Sequence, residues 1–345
     1  PAPGGAEGEP RGESRESNKE RTHRISFAQA LKRVDFKEIE RRLDSDQERA
    51  IADLKKIIKK MAEKYSKDVA SRKILEEKAA QRIKDLGLAY KGEIRDAMKG
   101  WLMRLFESGG RDAKKEILKV KVSEPAVTVN VKPTLSGAKL EALMTDKAFR
   151  ISGVLSQDIL ADANQILATG LEKGFSTQHV MNDLADVFRE YTGDEGIVDE
   201  EGNLLKPNRL ETIVRTNFTS AYNLGRRDLF LDPDLKGFVR GVEYSAVLDS
   251  RTTDICEELD GKVFDASDVE GIERFTPPLH YNCRSILVPI TEYDAQEEPF
   301  TPMDAEEKGA MEGLVQIGFV EEHEAQRCVS APKPVSQAAE KTQIG

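Results

Sequence analysis

The sequence is poor in cysteine, histidine and aromatic residues. Of its 345 residues three are Cys, four are His and one is Trp, and aromatics make up only 6%. Cys256, Cys283 and Cys328 are too few and too scattered for a disulfide framework. They indicate a reducing compartment, or a metal or polar role for the closest pair. No apolar run approaches the ~18–20 residues of a membrane-spanning helix, so no membrane partner is expected. Residues 1–10 lack a basic stretch followed by an apolar one, and no secretory signal is expected there. The missing initiator Met suggests a trimmed chain or part of a longer product. Gly-x-Ser-x-Gly, P-loop, Gly-x-Gly-x-x-Gly and His-Glu-x-x-His patterns are all absent. With so few histidines the supply of general bases is small, and a non-enzymatic protein is expected.

Charge is what the sequence has in abundance. Charged residues make up 33% of the chain, and the net charge of −10 hides a split. Residues 11–130 hold 31 Lys and Arg against 21 Asp and Glu, whereas residues 131–345 hold 21 against 39. A bipolar chain of this kind suits two different surfaces, with nucleic acid a candidate for the basic one. A long solvated Lys-rich helix would carry the same charge.

The periodicity predicts a mainly α protein with a small β element (α+β): a long helical N-terminal region, then a compact helical domain with a short β-hairpin or sheet. Residues 1–24, rich in Gly, Pro, Ser and charge, read as a flexible arm. Ile51, Leu54, Ile58, Met61 and Tyr65 recur at alternating spacings of three and four, one stripe of a helix. The stripe fits a packed bundle or an extended coiled-coil arm; unbroken from Phe36 to Leu86 the helix would span about 75 Å. Gly87, Gly92, Gly100 and Gly109–Gly110 suggest interruptions, with short helical pieces around Trp101 and Phe106. Alternating β-branched residues over 120–131 predict one or two short strands. Helices are expected over about 137–149, about 155–172, after Ser176–Thr177, and from near Asn208. Strands follow at 238–247, 262–264 and 285–290. The expected division is an arm (1–24), a basic helical region (25–130), a compact domain (131–290) and an acidic, largely disordered tail (291–345) with one short helix near 311–320.

The informative stretch is 215–289. Arg215, Tyr222 and Arg226 fall on one helix face, with Thr216 and Asn223 on the adjacent stripe, and two arginines on a largely apolar helix require acidic or carbonyl partners. Asp249 and Thr252, in Asp-Ser-Arg251-Thr, suit a turn fixed by side-chain bonds to the backbone. Four elements occur in order over about 75 residues: Arg-Thr-x5-Tyr-Asn-x-Gly-Arg (215–226), Asp-x-Arg-Thr-x3-Cys (249–256), Asp-Gly-Lys-Val-Phe (260–264) and Pro-Pro-x-His-x-Asn-Cys-Arg (277–284). Together they resemble the phage Mu F-like head morphogenesis family, minor capsid proteins of tailed phages. The resemblance is weaker over about 135–210.

That resemblance implies a structural virion protein, made in the host cytoplasm and placed at the portal and capsid interior. It would act in head assembly, DNA packaging or ejection, in several copies around the portal. Packaged DNA would be met through residues 11–130. Arg215, Thr216, Tyr222, Asn223, Arg226, Asp249, Arg251, Thr252, Asp260 and Asn282 would form a polar scaffold, with Asp249 expected to pair with Arg215 or Arg251. Two other classes fit less of the sequence: a zinc-dependent hydrolase or virion-delivered effector, and the C-terminal portion of a portal fusion.

Cys256, His280 and Cys283 offer three soft ligands from two segments, the start of a structural zinc site. A fourth ligand would come from Asp249, Asp254, Asp260 or water. Thr253 and Ser285 stand where relatives often carry cysteine, and a metal-free cluster bracing a loop is the other reading. Glu257 beside an open site superficially suggests a deaminase, but the His-x-Glu and Pro-Cys-x-x-Cys signature is missing.

Overall fold

The computed structural model describes residues 31–70, 79–119, 137–173, 175–192, 197–198, 204–206, 209–297 and 299–314. The arm expected over 1–24 and the strands expected over 120–131 lie outside them. The fold class is as expected, mainly α with a small antiparallel sheet.

Helix α1 (Phe36–Ala70) and helix α2 (Ala79–Leu118) lie antiparallel. The Tyr90 hydroxyl donates to the Lys60 carbonyl (3.3 Å), Trp101 Nε1 to Asp53 (3.4 Å), and Arg42 binds Asp112. These cross-links make a hairpin within a bundle, the first of the two arrangements the stripe allowed. Helices α3 (Gly137–Lys173) and α4 (Thr177–Thr192) complete its outer layer, and Ser176 Oγ accepts from the His179 N–H at the start of α4. Helix α5 (Arg209–Phe230) packs along α2.

Two expectations of broken helices are corrected. Residues 79–118 form one helix through Gly92, Gly100, Gly109 and Gly110, and residues 137–173 form another instead of two. An interior glycine costs about 1 kcal/mol. Burying Met98, Leu102 and Leu105, at about 1.5–3 kcal/mol per side chain, outweighs it. Gly109 and Gly225 have a positive reason to be glycine. A Cβ on Gly109 would overlap the Tyr222 carbonyl, and one on Gly225 would overlap the Phe106 carbonyl, so α2 and α5 cross backbone against backbone.

The core does not divide at residue 130. Leu54, Ile58 and Met61 of α1 and Met98, Leu102 and Leu105 of α2 share one cluster with Met144 and Ile159 of α3, Leu184 of α4 and Phe218 of α5. The charge boundary therefore runs between helices that bury each other, because the basic residues of the hairpin face outward while its apolar stripe faces α3–α5.

The sheet has β3 (Val239–Ser245) between β4 (Val263–Asp265) and β5 (Ile286–Thr291), all antiparallel. One face packs with Ile117, Phe230, Leu259 and Phe275, the other with Val34 and Ile39 at the start of the described chain. Covered on both sides, β5 is buried throughout. Between the strands lie α6 (Asp254–Leu259) and α7 (Val269–Arg274), too short to leave a helical stripe in the sequence. The two-stranded ribbon of β1 (Ile197–Val198) and β2 (Leu204–Lys206) was likewise not anticipated.

The expected disordered tail is corrected over its first part. After α8 (Glu292–Glu297), residues 299–314 return to the sheet and end in α9 (Ala305–Glu312), which a reciprocal Asp304–Glu307 capping box starts. Met303 is buried, and the ion pairs Lys262–Glu307 (3.0 Å), Lys308–Asp268 (2.5 Å) and Arg274–Glu312 (2.8 Å) tie the segment to residues 262–274. Residues 315–345 lie outside the described chain.

Candidate functional site

Helix α5 carries a polar stripe at residues 212, 216, 219, 223 and 226, steps of four and three that keep one face. That face reads the backbone of residues 282–287 group by group. Thr216 Oγ donates to the Thr212 carbonyl (2.7 Å) and accepts from the Asn282 N–H (3.1 Å), and Thr219 Oγ donates to the Cys283 carbonyl (2.7 Å). Asn223 accepts from the Leu287 N–H (3.1 Å) and donates to the Ser285 carbonyl (3.0 Å); Arg226 Nε donates to the Leu287 carbonyl (2.7 Å). These groups are buried, so each bond contributes about 0.5–1.5 kcal/mol net and each unmade bond would cost more.

On the side facing α2, Tyr222 and Arg226 meet a matching acidic pair. The Tyr222 hydroxyl donates to Asp112 (2.8 Å), and the Arg226 guanidinium binds both oxygens of Glu116 (2.9 and 2.5 Å). Burial opposes the Arg226 charge, but the Glu116 carboxylate outweighs it and its pKa is raised. Burial also raises the Tyr222 pKa and keeps the hydroxyl protonated as a donor. Arg215, seven residues before Tyr222, is half-buried, and its Nε has no partner among the described residues.

The turn at 249–252 is fixed as its residue types suggest. Asp249 Oδ1 accepts from the Arg251 N–H (2.9 Å), and Thr252 Oγ accepts from the Asp249 N–H (2.9 Å) and donates to the Val247 carbonyl (2.6 Å). The Asp260 carboxylate accepts from the Ala246 N–H (2.9 Å). Asp249 pairs with Arg251 at 3.6 Å, one of its two expected partners, but its closer partner, not foreseen, is Arg284 at 2.8 and 2.5 Å. The register that sets Ser245 opposite Ile286 brings Arg284 beside the turn leaving β3. The Arg284 hydrogen bonds hold the Asp249 carboxyl down to about 2.

Cys256 on α6 and His280 and Cys283 on the loop before β5 converge. Cys256 Sγ is 3.1 Å from His280 Nε2 and 3.8 Å from Cys283 Sγ, and the three ligand atoms lie within 4.8 Å of one another. His280 Nδ1 is 2.8 Å from the Tyr281 carbonyl, which assigns it the ring proton and leaves the Nε2 lone pair toward the sulfurs. Tyr244 OH (3.1 Å) and Ser285 Oγ (3.3 Å) also reach Cys256 Sγ. Burial works against a Cys283 thiolate, but hydrogen bonds from Cys256 and the backbone of Ser285 and Leu279 hold it at about 6. The hydrogen bond to Cys283, and then burial, push Cys256 up to about 12. Asn282, at φ 59°, turns the loop between His280 and Cys283, a conformation Asn tolerates.

Besides Arg284, the partners Asp112, Glu116 and Thr219 escaped the sequence reading. Asp112 and Glu116 lie far from the motifs, though their i, i+4 spacing on a Lys-rich helix matches that of Tyr222 and Arg226. Thr219 continues the stripe of Thr216 and Asn223 and was legible from spacing alone.

Residues 162–288 match the family model described as Phage Mu protein F like protein. The Mu-like prophage FluMu F protein of Haemophilus influenzae is 28% identical over 154 residues. That stretch is 44% of this chain and 36% of the prophage protein, so the chain spans little more than a third of that relative. No solved structure matches at a significant level. The resemblance carried by the four motifs of residues 215–284 is thus shown: over residues 162–288 this chain matches the phage Mu protein F like family.

Proposed function

We propose that the protein is a structural head morphogenesis component of a tailed phage. In this reading it is a virion protein, present in several copies at the portal and capsid interior, acting in head assembly, DNA packaging or ejection. The match over residues 162–288 carries the proposal. The use of the motif residues supports it: Asn223 and Arg226 hold α5 to β5, and Thr252 and Asp260 fix the segment leaving β3. The polar constellation is read as a scaffold and not as an active site. Imaging of virions or procapsids tests this, with density inside the shell at the portal vertex expected. Absence of the protein from particles would defeat the reading.

The basic hairpin is the surface proposed to meet packaged DNA. Lys56, Lys59 and Lys60 are exposed on one stretch of α1. Filter binding by the full chain should weaken steeply with salt as phosphate counterions compete. The triple change to Glu at these positions should weaken it further, and no binding by the unaltered chain at low salt would refute DNA contact.

A further inference from the structure

The geometry points to a binding site for a zinc-class divalent cation formed by Cys256, His280 and Cys283. It concerns a site that the proposed head function does not use. A tetrahedral ion with metal–sulfur bonds of about 2.3 Å sets two thiolates about 3.8 Å apart. Cys256 and Cys283 already stand at 3.8 Å. The Cys256–His280 separation of 3.1 Å needs only a few tenths of an ångström of opening to match a metal-bound sulfur–nitrogen edge of about 3.5 Å.

The arrangement of protons favours the same occupant. With Nδ1 donating to the Tyr281 carbonyl, Nε2 is an acceptor aimed into the cluster, the orientation that a carbonyl partner gives a metal-bound imidazole. The two sulfurs and this nitrogen lie within 4.8 Å of one another. A divalent cation displaces both thiol protons to solvent and satisfies all three acceptors together. Two thiolates, a neutral imidazole and a dication sum to zero charge. A neutral site suits a place where Cys256 and Cys283 are only 2% and 1% exposed. The hydroxyls of Tyr244 and Ser285 remain as hydrogen-bond donors to the Cys256 sulfur, and water takes the fourth corner. So placed, the ion would tie α6 to the loop whose backbone the α5 stripe holds.

The test uses the full chain purified under reducing conditions. Elemental analysis should find about one zinc per chain, and replacement by Co2+ should give sulfur-to-cobalt charge-transfer absorption with tetrahedral d–d bands. Cys256→Ser and Cys283→Ser should each lose the equivalent of metal, whereas Cys328→Ser should keep it. Should the site variants fail to fold, the cobalt spectrum of the unaltered protein decides alone. A reduced, folded chain that binds neither ion at excess metal overturns the inference. So does a Cys256–Cys283 disulfide that takes up no metal after reduction.

Discussion

The guanidinium of Arg226, fully buried, holds both oxygens of Glu116 across the contact between α2 and α5 while its Nε holds the Leu287 carbonyl. One side chain thus joins the hairpin, the motif helix and the sheet. Removing one partner of such a pair strands the other charge, a loss of about 3–5 kcal/mol. Arg226→Met and Glu116→Leu should each destabilise by that order in urea unfolding. The double variant should cost clearly less than their sum, and strict additivity would show that the two side chains do not act as a pair.

The glycines of α2 and α5 should split into two classes. Gly92→Ala and Gly100→Ala meet open space and should stabilise by about 0.5–1 kcal/mol through helix propensity. Gly109→Ala and Gly225→Ala drive a methyl group into the opposing backbone and should destabilise by at least about 1–3 kcal/mol. Thermal melts of the four variants check the sign at each position.

Glu243 gives the chain a pH dependence opposite to that of a paired carboxylate. Burial, with Asp260 nearby, pushes its carboxyl from 4.5 up to about 8, and one of its oxygens has no hydrogen-bond partner among the described residues. Between those values the folded state keeps a proton that the unfolded chain releases. Its contribution is complete below the unfolded value and is lost as pH rises toward 8. Glu243→Gln should therefore be more stable than the parent at pH 8, by about 1–3 kcal/mol, and nearly equal at pH 4.5. Urea titrations at the two pH values would expose a failure as parallel curves.

Cutting at residue 130 should not yield two folded halves. A fragment of residues 131–345 loses the α2 surface against α3 and α5, together with Asp112 and Glu116, and leaves Phe218 and Arg226 uncovered. Circular dichroism and limited proteolysis of the fragment should show a loosened α5 and faster digestion than in the full chain. A fragment as resistant as the parent would contradict the shared core.

The three strands of the larger sheet and the Ser176 cap were readable because alternation and capping are local signals. The stripe through Leu54, Ile58 and Met61 was equally plain, but a stripe does not say which helix it meets, so bundle and arm both fitted. Glycine misled within α2, since a helix break and a close crossing place the same residue in the sequence. At the site, spacing found the stripe of Thr216 and Asn223 and the trio Cys256, His280 and Cys283. The partners Glu116 and Arg284 depended on tertiary register, which composition and charge do not encode.

The helix stripe has one more consequence. In the order β4-β3-β5, β5 lies at a margin of the sheet, and the backbone groups it would offer a newcomer at Ser285 and Leu287 are occupied by Asn223 and Arg226. At the opposite margin, Met303 donates its N–H to the Val263 carbonyl. Strand addition from a neighbouring copy is blocked at these positions by the chain itself. Cross-strand fusion of two copies through these positions of the three-stranded sheet is therefore disfavoured.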